Sequence, residues 1–432
     1  MFDPGHILVD LCERRCERLT VTVCNTRTAR VANELVKPES RQNARRLIGL
    51  VYGLCPLAHL NAFDAARGAA KGISVAELRE RTLAFGESAL MLEALTENLR
   101  VMTLEVQTLL PAGPRITDDI TNAKRFGSLR GKVQTLVHVA SAMDPLAASD
   151  DGHAWTQAAE VVDLVLPGLI DAFRDMLFGM TPEAWLETAT ASPEAMLDWA
   201  KAHSERLPAA AWLVHVAERG PRWGAVDCER LPAAPVIMDE LGSRMLSESG
   251  FALAPRLQHR PRLTGAFARM EHAAIFRPFS RRGPDALTLT AARLFECTLA
   301  LRLLEGGAQS RMRRFAGLEA AGTPLVASAL TSEGAVGTAE SARGLLAHAL
   351  TLDADGLPAA LAITSPTEWQ FAPEGAAARV AAEIVRRLCG EGPKCERCRQ
   401  ALEQTLKEAL FGLDACVPVV FQHRANGGQP HA

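Results

Sequence analysis

Hydrophobic and polar residues alternate twice near the start of the chain, from Ile7 to Leu11 and from Leu19 to Cys24. A period of two turns one face to a core and the other to water, so these runs predict a small β-hairpin. From about Thr28 the period lengthens. Ala and Leu recur every three to four residues, with charged residues between them, through 76–110, 154–178, 183–202 and 286–304. That spacing predicts helices with one apolar face. Pro and Gly interrupt it at Pro111/Gly113/Pro114, Pro167/Gly168 and Gly220/Pro221, where the chain is expected to turn. The segment 340–372 reverts to strand-like runs joined at Asp353-Ala354-Asp355-Gly356, with Asp-Gly as the turn signal. Helical spacing returns at 375–389 and 397–411. The pattern predicts a mostly α, α+β fold in one integrated body. Residues 1–27 form the hairpin, 28–256 are mainly helical, 257–424 form an α+β half, and 425–432 are a disordered tail.

Composition narrows this picture. In 432 residues, hydrophobic types reach 48% and aromatics only 5%, so the core is to be built from Leu, Ala and Val. A net charge of -3 argues against a nucleic-acid partner or an anionic membrane surface, both of which need clustered positive charge. No run of about 18 uncharged apolar residues is present, so no membrane insertion is expected. The first residues carry charges throughout and no apolar signal-like run. A cytoplasmic location is therefore expected, and with it ten reduced cysteines.

Two segments hold candidate chemistry. In 50-LVYGLCPLAHLNAF-63, Pro56 suits the first turn of a helix, which puts Cys55 at its N-terminus. The macrodipole there favours thiolate over thiol. His59, four residues on, shares the face of Cys55. In 413-LDACVPVVFQHR-424, Cys416 follows a strong helical run and His423 lies in a short apolar turn. Taken singly, each segment is better explained by a buried structural thiol, in the first case beside a satisfied core histidine.

Together they resemble the two metal motifs of the [NiFe]-hydrogenase large subunit, Cys-Gly-x-Cys-x-x-x-His and Asp-Pro-Cys-x-x-Cys-x-x-His. Further stretches resemble that family in the same order. They are Gly5-His6, Glu34 at the distance of the family's proton-relay glutamate, Thr264-Gly265-Ala266-Phe267-Ala268-Arg269, Ala342-Arg343-Gly344-Leu345-Leu346-Ala347-His348, and Pro366-Thr367-Glu368-Trp369-Gln370. The resemblance implies the large-subunit fold, a central helical bundle with small peripheral β-hairpins.

The departures are as informative. The family's first cysteine falls on Tyr52, its third on Cys416, its fourth on Val419, and its final His on Gln422, with His423 one residue late. Four thiolates become two, Cys55 and Cys416. Two soft ligands do not fill the coordination sphere of nickel. They still suit one iron that brings its own cyanides and carbon monoxide. The residues that match the family's cyanide contacts, Arg343 and Thr367, are retained, with Pro366, His59, Glu34 and His423 around them. This combination resembles hydrogenase-formation proteins of the HupK or HoxV type. It implies a non-catalytic scaffold for an iron–dicyanide–carbonyl fragment, without nickel, working with hydrogenase maturation proteins and the hydrogenase large subunit. On this reading Arg343→Ala weakens retention of the fragment and leaves the fold largely intact. The alternative is a divergent hydrogenase-like redox subunit with an altered metal site.

Among the other cysteines, Cys395-x-x-Cys398 with Cys389 upstream suggests zinc or a redox pair, but no fourth ligand is evident, and surface thiols explain them better. Cys12 and Cys16 fall in a charged turn region, and Cys24, Cys228 and Cys297 read as small apolar residues. Arg311, Arg313 and Arg314 read as a solvated helix face.

Overall fold

The computed structural model describes residues 5–13, 19–110, 120–147, 152–189, 191–277, 283–388 and 396–424. The expected hairpin is present as β1 (Ile7–Glu13) and β2 (Leu19–Asn25), paired antiparallel. A further strand, Val419–Arg424, lies on the other edge of β1 and runs parallel to it, with Ile7 facing Val419. The 413–424 segment therefore ends in a strand rather than an apolar turn.

Five helices follow the hairpin: α1 (Arg30–Leu35), α2 (Ala44–Val51), α3 (Pro56–Ala70), α4 (Val75–Arg81) and α5 (Phe85–Arg100). Helix α3 is buried almost all round, and its alanines are the reason it can be. Ala58, Ala62 and Ala65 present a flat face to a four-stranded antiparallel sheet of Val326–Leu330, Ala335–Ser341, Gly344–Leu352 and Pro358–Thr364. The approach is so close that a Cβ on Gly337 would lie 2.2 Å from the Ala62 carbonyl oxygen. The last two strands are the pair expected at 340–372. Their turn is tied by Asp353, whose carboxylate accepts from the amides of Asp355 and Leu357.

Helix α5 lies beside α3 and is equally buried, although it carries Glu87, Glu93 and Glu97. Buried carboxylates need partners. Glu87 is held by Arg79, Glu93 by backbone amides, and Glu97 by two arginines. Around this pair pack the helices Ile120–Ala142, Gly152–Ala172, Pro208–Glu218 and Ala286–Leu304.

The helices expected at 76–110, 154–178, 183–202, 286–304, 375–389 and 397–411 are all present, some divided. The turn expected at Pro167/Gly168 is not: Gly152–Ala172 runs through it. Pro167 is exposed, and a carbonyl freed by proline on a solvated face can bond water. Arg311 is not solvated either. It is fully buried on helix Ala308–Ala320, where it donates to Asp163 and to the Gly306 carbonyl. Cys228 and Cys297 are buried as expected, whereas Cys24 is exposed, Cys12 lies within β1, and Cys398 is exposed on helix Glu396–Phe411. Cys16, Cys389 and Cys395, the turn at Pro111/Gly113/Pro114 and the expected tail lie outside the described residues. No described helix is long and apolar enough to cross a membrane.

Candidate metal centre

Cys55 is the N-cap residue of α3, with Pro56 in the first turn. The helix's free amides, however, do not serve the thiol. Leu57 and Ala58 donate their N–H groups to the Glu93 carboxylate at 2.8 and 3.1 Å. Burial pushes the Cys55 thiol well up, and the neighbouring Glu93 and Cys416 add to this, against Arg343 and Arg27. The dipole argument for a thiolate is thus overturned: a carboxylate already sits on the helix N-terminus. Glu93 itself is pushed up to about 8 by burial, despite the two amides.

Cys416 reaches the same neighbourhood from the segment that leads into the last strand. The Thr367 hydroxyl donates to Cys416 Sγ at 2.9 Å and accepts from the Cys416 amide at 3.1 Å. Pro366 begins the short helix Pro366–Gln370 that presents Thr367. Arg27, in the loop after β2, donates one nitrogen to Cys416 Sγ at 3.4 Å, to Ser365 Oγ at 3.1 Å and to Glu368 at 3.0 Å.

Arg343 completes the group. Its guanidinium pairs with Glu97 and, 3.3 Å away, with Asp414, and it lies within electrostatic range of both thiols. Burial opposes the charge on Arg343, but Asp414, Glu97 and the thiols outweigh it. Burial would likewise raise Glu97, yet Arg100 and Arg343 override it and hold it down to about 2. The Arg343 Nε makes no hydrogen bond among the described residues. Two interlocking motifs fix this arginine. Gly344 (φ +133°) and Gly265 (φ +106°) meet back to back: a Cβ on Gly344 would strike Thr264, and one on Gly265 would press on the Arg343 carbonyl. Thr264 then accepts from the Leu345 amide, and Gln370 donates to the Thr264 carbonyl.

His59 does not converge on the thiol. It is buried against His348, ring nitrogen to ring nitrogen at 2.9 Å, and stacks on Tyr52 with centroids 3.5 Å apart. Burial, His348 and Arg27 hold His59 well below its usual range, and burial alone takes His348 to about 3, so both rings are neutral.

The group therefore offers two thiols, two arginines and a hydroxyl, with no other soft ligand at Tyr52 or Val419. Among the described residues no three His, Cys, Asp or Glu side chains cluster as a metal site. Such a donor set fits a metal that arrives with most of its own ligands. The Arg343 guanidinium, whose Nε faces Asp414 without a hydrogen bond, and the Arg27 nitrogen near sulfur suit ligands with negative character.

Comparison with known proteins bears on the family. No family model matches the sequence. The chain is 25% identical to the hydrogenase expression/formation protein HupK of Azotobacter vinelandii over 386 residues, 89% of each chain. It is 33% identical to HupK of Rhizobium leguminosarum bv. viciae over 137 residues, 32% of this chain and about a third (34%) of that protein's length. The crystal structure of an NAD+-reducing [NiFe]-hydrogenase in the H2-reduced state superposes with a TM-score of 0.50 and 15% identity, covering 92% of both chains. The chain is similar to HupK proteins and has the fold of a hydrogenase large subunit. The fold thus agrees with the motifs, and the mostly helical α+β reading holds.

Two expected site residues lie elsewhere. Glu34 is exposed on α1 and pairs with Lys37. His423 lies in the last strand and bonds Glu403 at 2.8 Å, because strand pairing with β1 carries it past the thiols. Four residues were missed: Arg27, Glu93, Glu97 and Asp414. Glu93 and Glu97 had a visible signal, two carboxylates one turn apart in a run otherwise rich in Leu, Met and Ala. Nor does Arg343 face a ligand alone. Removing it would take one of two cations from each carboxylate, leaving Glu97 with Arg100 and Asp414 with Arg293, so Arg343→Ala is expected to weaken the fold as well as the retention of a ligand.

Proposed function

We propose that this protein is a non-catalytic scaffold of hydrogenase assembly, holding an iron fragment with cyanide and carbonyl ligands between Cys55 and Cys416 and binding no nickel. The observation that carries this reading is that two thiols, far apart in sequence, share one neighbourhood with the buried Arg343 and the half-buried Arg27. The HupK proteins it resembles are described as hydrogenase expression/formation proteins, which supports a role in hydrogenase formation. Its partners on this reading are hydrogenase maturation proteins and the hydrogenase large subunit, and its place is the cytoplasm.

When bound, the fragment supplies a low-spin iron with strong anionic ligands. The chain's own residues then divide the work. Cys55 and Cys416 give sulfur. Thr367 orients Cys416 through both its amide and its sulfur. Arg27 and Arg343 offset the cost of burying negative ligands. The test is infrared spectroscopy of protein purified from its hydrogenase-producing host. Cyanide and carbonyl bands are expected in the wild type and absent from Cys55→Ala and Cys416→Ala. Normal hydrogenase yield from cells carrying either variant would sink the metal-scaffold reading, as would one nickel per chain by elemental analysis.

A further inference from the structure

Next to Cys55, whose neighbours Leu54 and Pro56 line it, α2, α5 and helix Ile120–Ala142 enclose a cavity of about 720 Å³. Its inner wall is Pro56, Glu93 and Glu97, and Gly53 and Leu54, the residues just before Cys55, form one side. The outer rim is basic. Arg46 lies on α2, and Arg130 and His138 lie two turns apart on one face of the opposite helix. Arg46 and Arg130 are exposed and have no ion-pair partner among the described residues. At the floor, Glu97 is matched by Arg100 and Arg343, and Glu93 is bonded to backbone amides. The cavity as a whole is therefore positive.

We infer that this cavity is the vestibule through which an anionic iron–cyanide–carbonyl fragment approaches Cys55, drawn in by Arg46 and Arg130. The inference rests on the proposed function and adds a route and two recruiting residues. Cys55 and Cys416 are only half-buried, so a route must reach them. A volume of about 720 Å³ falls in the range of small-molecule sites. Arg46 and Arg130 put one sign of charge at the mouth, and such a field raises the on-rate of an opposite ion by roughly 10- to 1,000-fold, an effect that salt erases. A smaller cavity, about 360 Å³, meets the site from the far side through Arg27, Tyr52 and His59. There the stacked Tyr52 and His59 rings stand in the way, and Glu248 and Glu368 line the wall.

The test follows loading of purified protein with a synthetic iron(II) dicyanide carbonyl thiolate anion, by growth of infrared bands at low and high salt. Each iron–cysteine bond formed replaces one iron–thiolate bond of the probe, and the released thiolate takes the cysteine's proton. Wild type is expected to load quickly, and more slowly as salt rises. Arg46→Glu with Arg130→Glu is expected to load roughly tenfold more slowly at low salt, with no slowing by added salt and unchanged final bands. Arg46→Gln with Arg130→Gln should fall between them. Gly53→Phe, at a position where a Cβ meets nothing within 4 Å, should slow loading at every salt concentration. Charge-reversed protein that loads at the wild-type rate overturns the vestibule and leaves the proposed function standing. Equal slowing by the Gln and Glu pairs overturns electrostatic recruitment. Wild type without thiol-bound bands overturns both readings.

Discussion

At the residue scale, the decisive fact about Arg343 is that it has two carboxylates already. Arg343→Lys keeps a charge for Glu97 and Asp414 but loses the planar fork. It is expected to fold and to shift the cyanide bands. Arg343→Ala is expected to cost about 1–3 kcal/mol in chemical denaturation, because Glu97 and Asp414 each lose one of two cations while Arg100 and Arg293 remain. If Ala and Lys are equally stable, the ion-pair account is wrong. Glu93 gives a pH test. In the folded protein its carboxyl is pushed up to about 8 from an ordinary 4.5, so between those values the folded state keeps a proton that the unfolded state has lost. Its contribution is full below about 4.5 and fades as pH rises through about 8. Glu93→Gln should flatten that fall by up to roughly 1.4 kcal/mol per pH unit, read from denaturation midpoints at pH 5, 6.5 and 8. The thiols and Arg343 were legible because they stand in local motifs. Arg27 and Asp414 were not, since their partners Glu368 and Arg343 lie in other elements, far along the chain, and nothing nearby marks them.

At the scale of elements, the long helices could be read because one face repeats over several turns. The strand Ala335–Ser341 could not. Six of its seven residues are buried, so no alternation of polar and apolar positions survives to identify it. Nor could the last strand, four half-covered and two exposed residues whose ladder partner among the described residues is the first strand of the chain. Gly337 gives the matching stability test. A methyl there would strike the Ala62 carbonyl and the Ala66 amide, forcing the sheet off α3. Gly337→Ala should cost about 1–3 kcal/mol or more. Gly53→Ala, with open space around it, should stay within roughly 0.5 kcal/mol of wild type. Equal thermal midpoints for the two would count against the close helix–sheet approach.

At the scale of the whole molecule, the parallel pairing of Ile7 with Val419 has a consequence for the order of events. During synthesis β1 emerges early and its neighbour on that edge emerges more than 400 residues later. Cys416, Asp414 and the bond from Thr367 arrive only with that last stretch. A nascent chain that stops at residue 411 could bury α3 and α5 and still present a single thiol. Ribosome-bound chains of that length should therefore retain no iron fragment, while chains released in full should. The seam between the first and last strands thus acts as a clock: on the proposed function, cargo is accepted only once the segment from Asp414 to Val419 has joined β1.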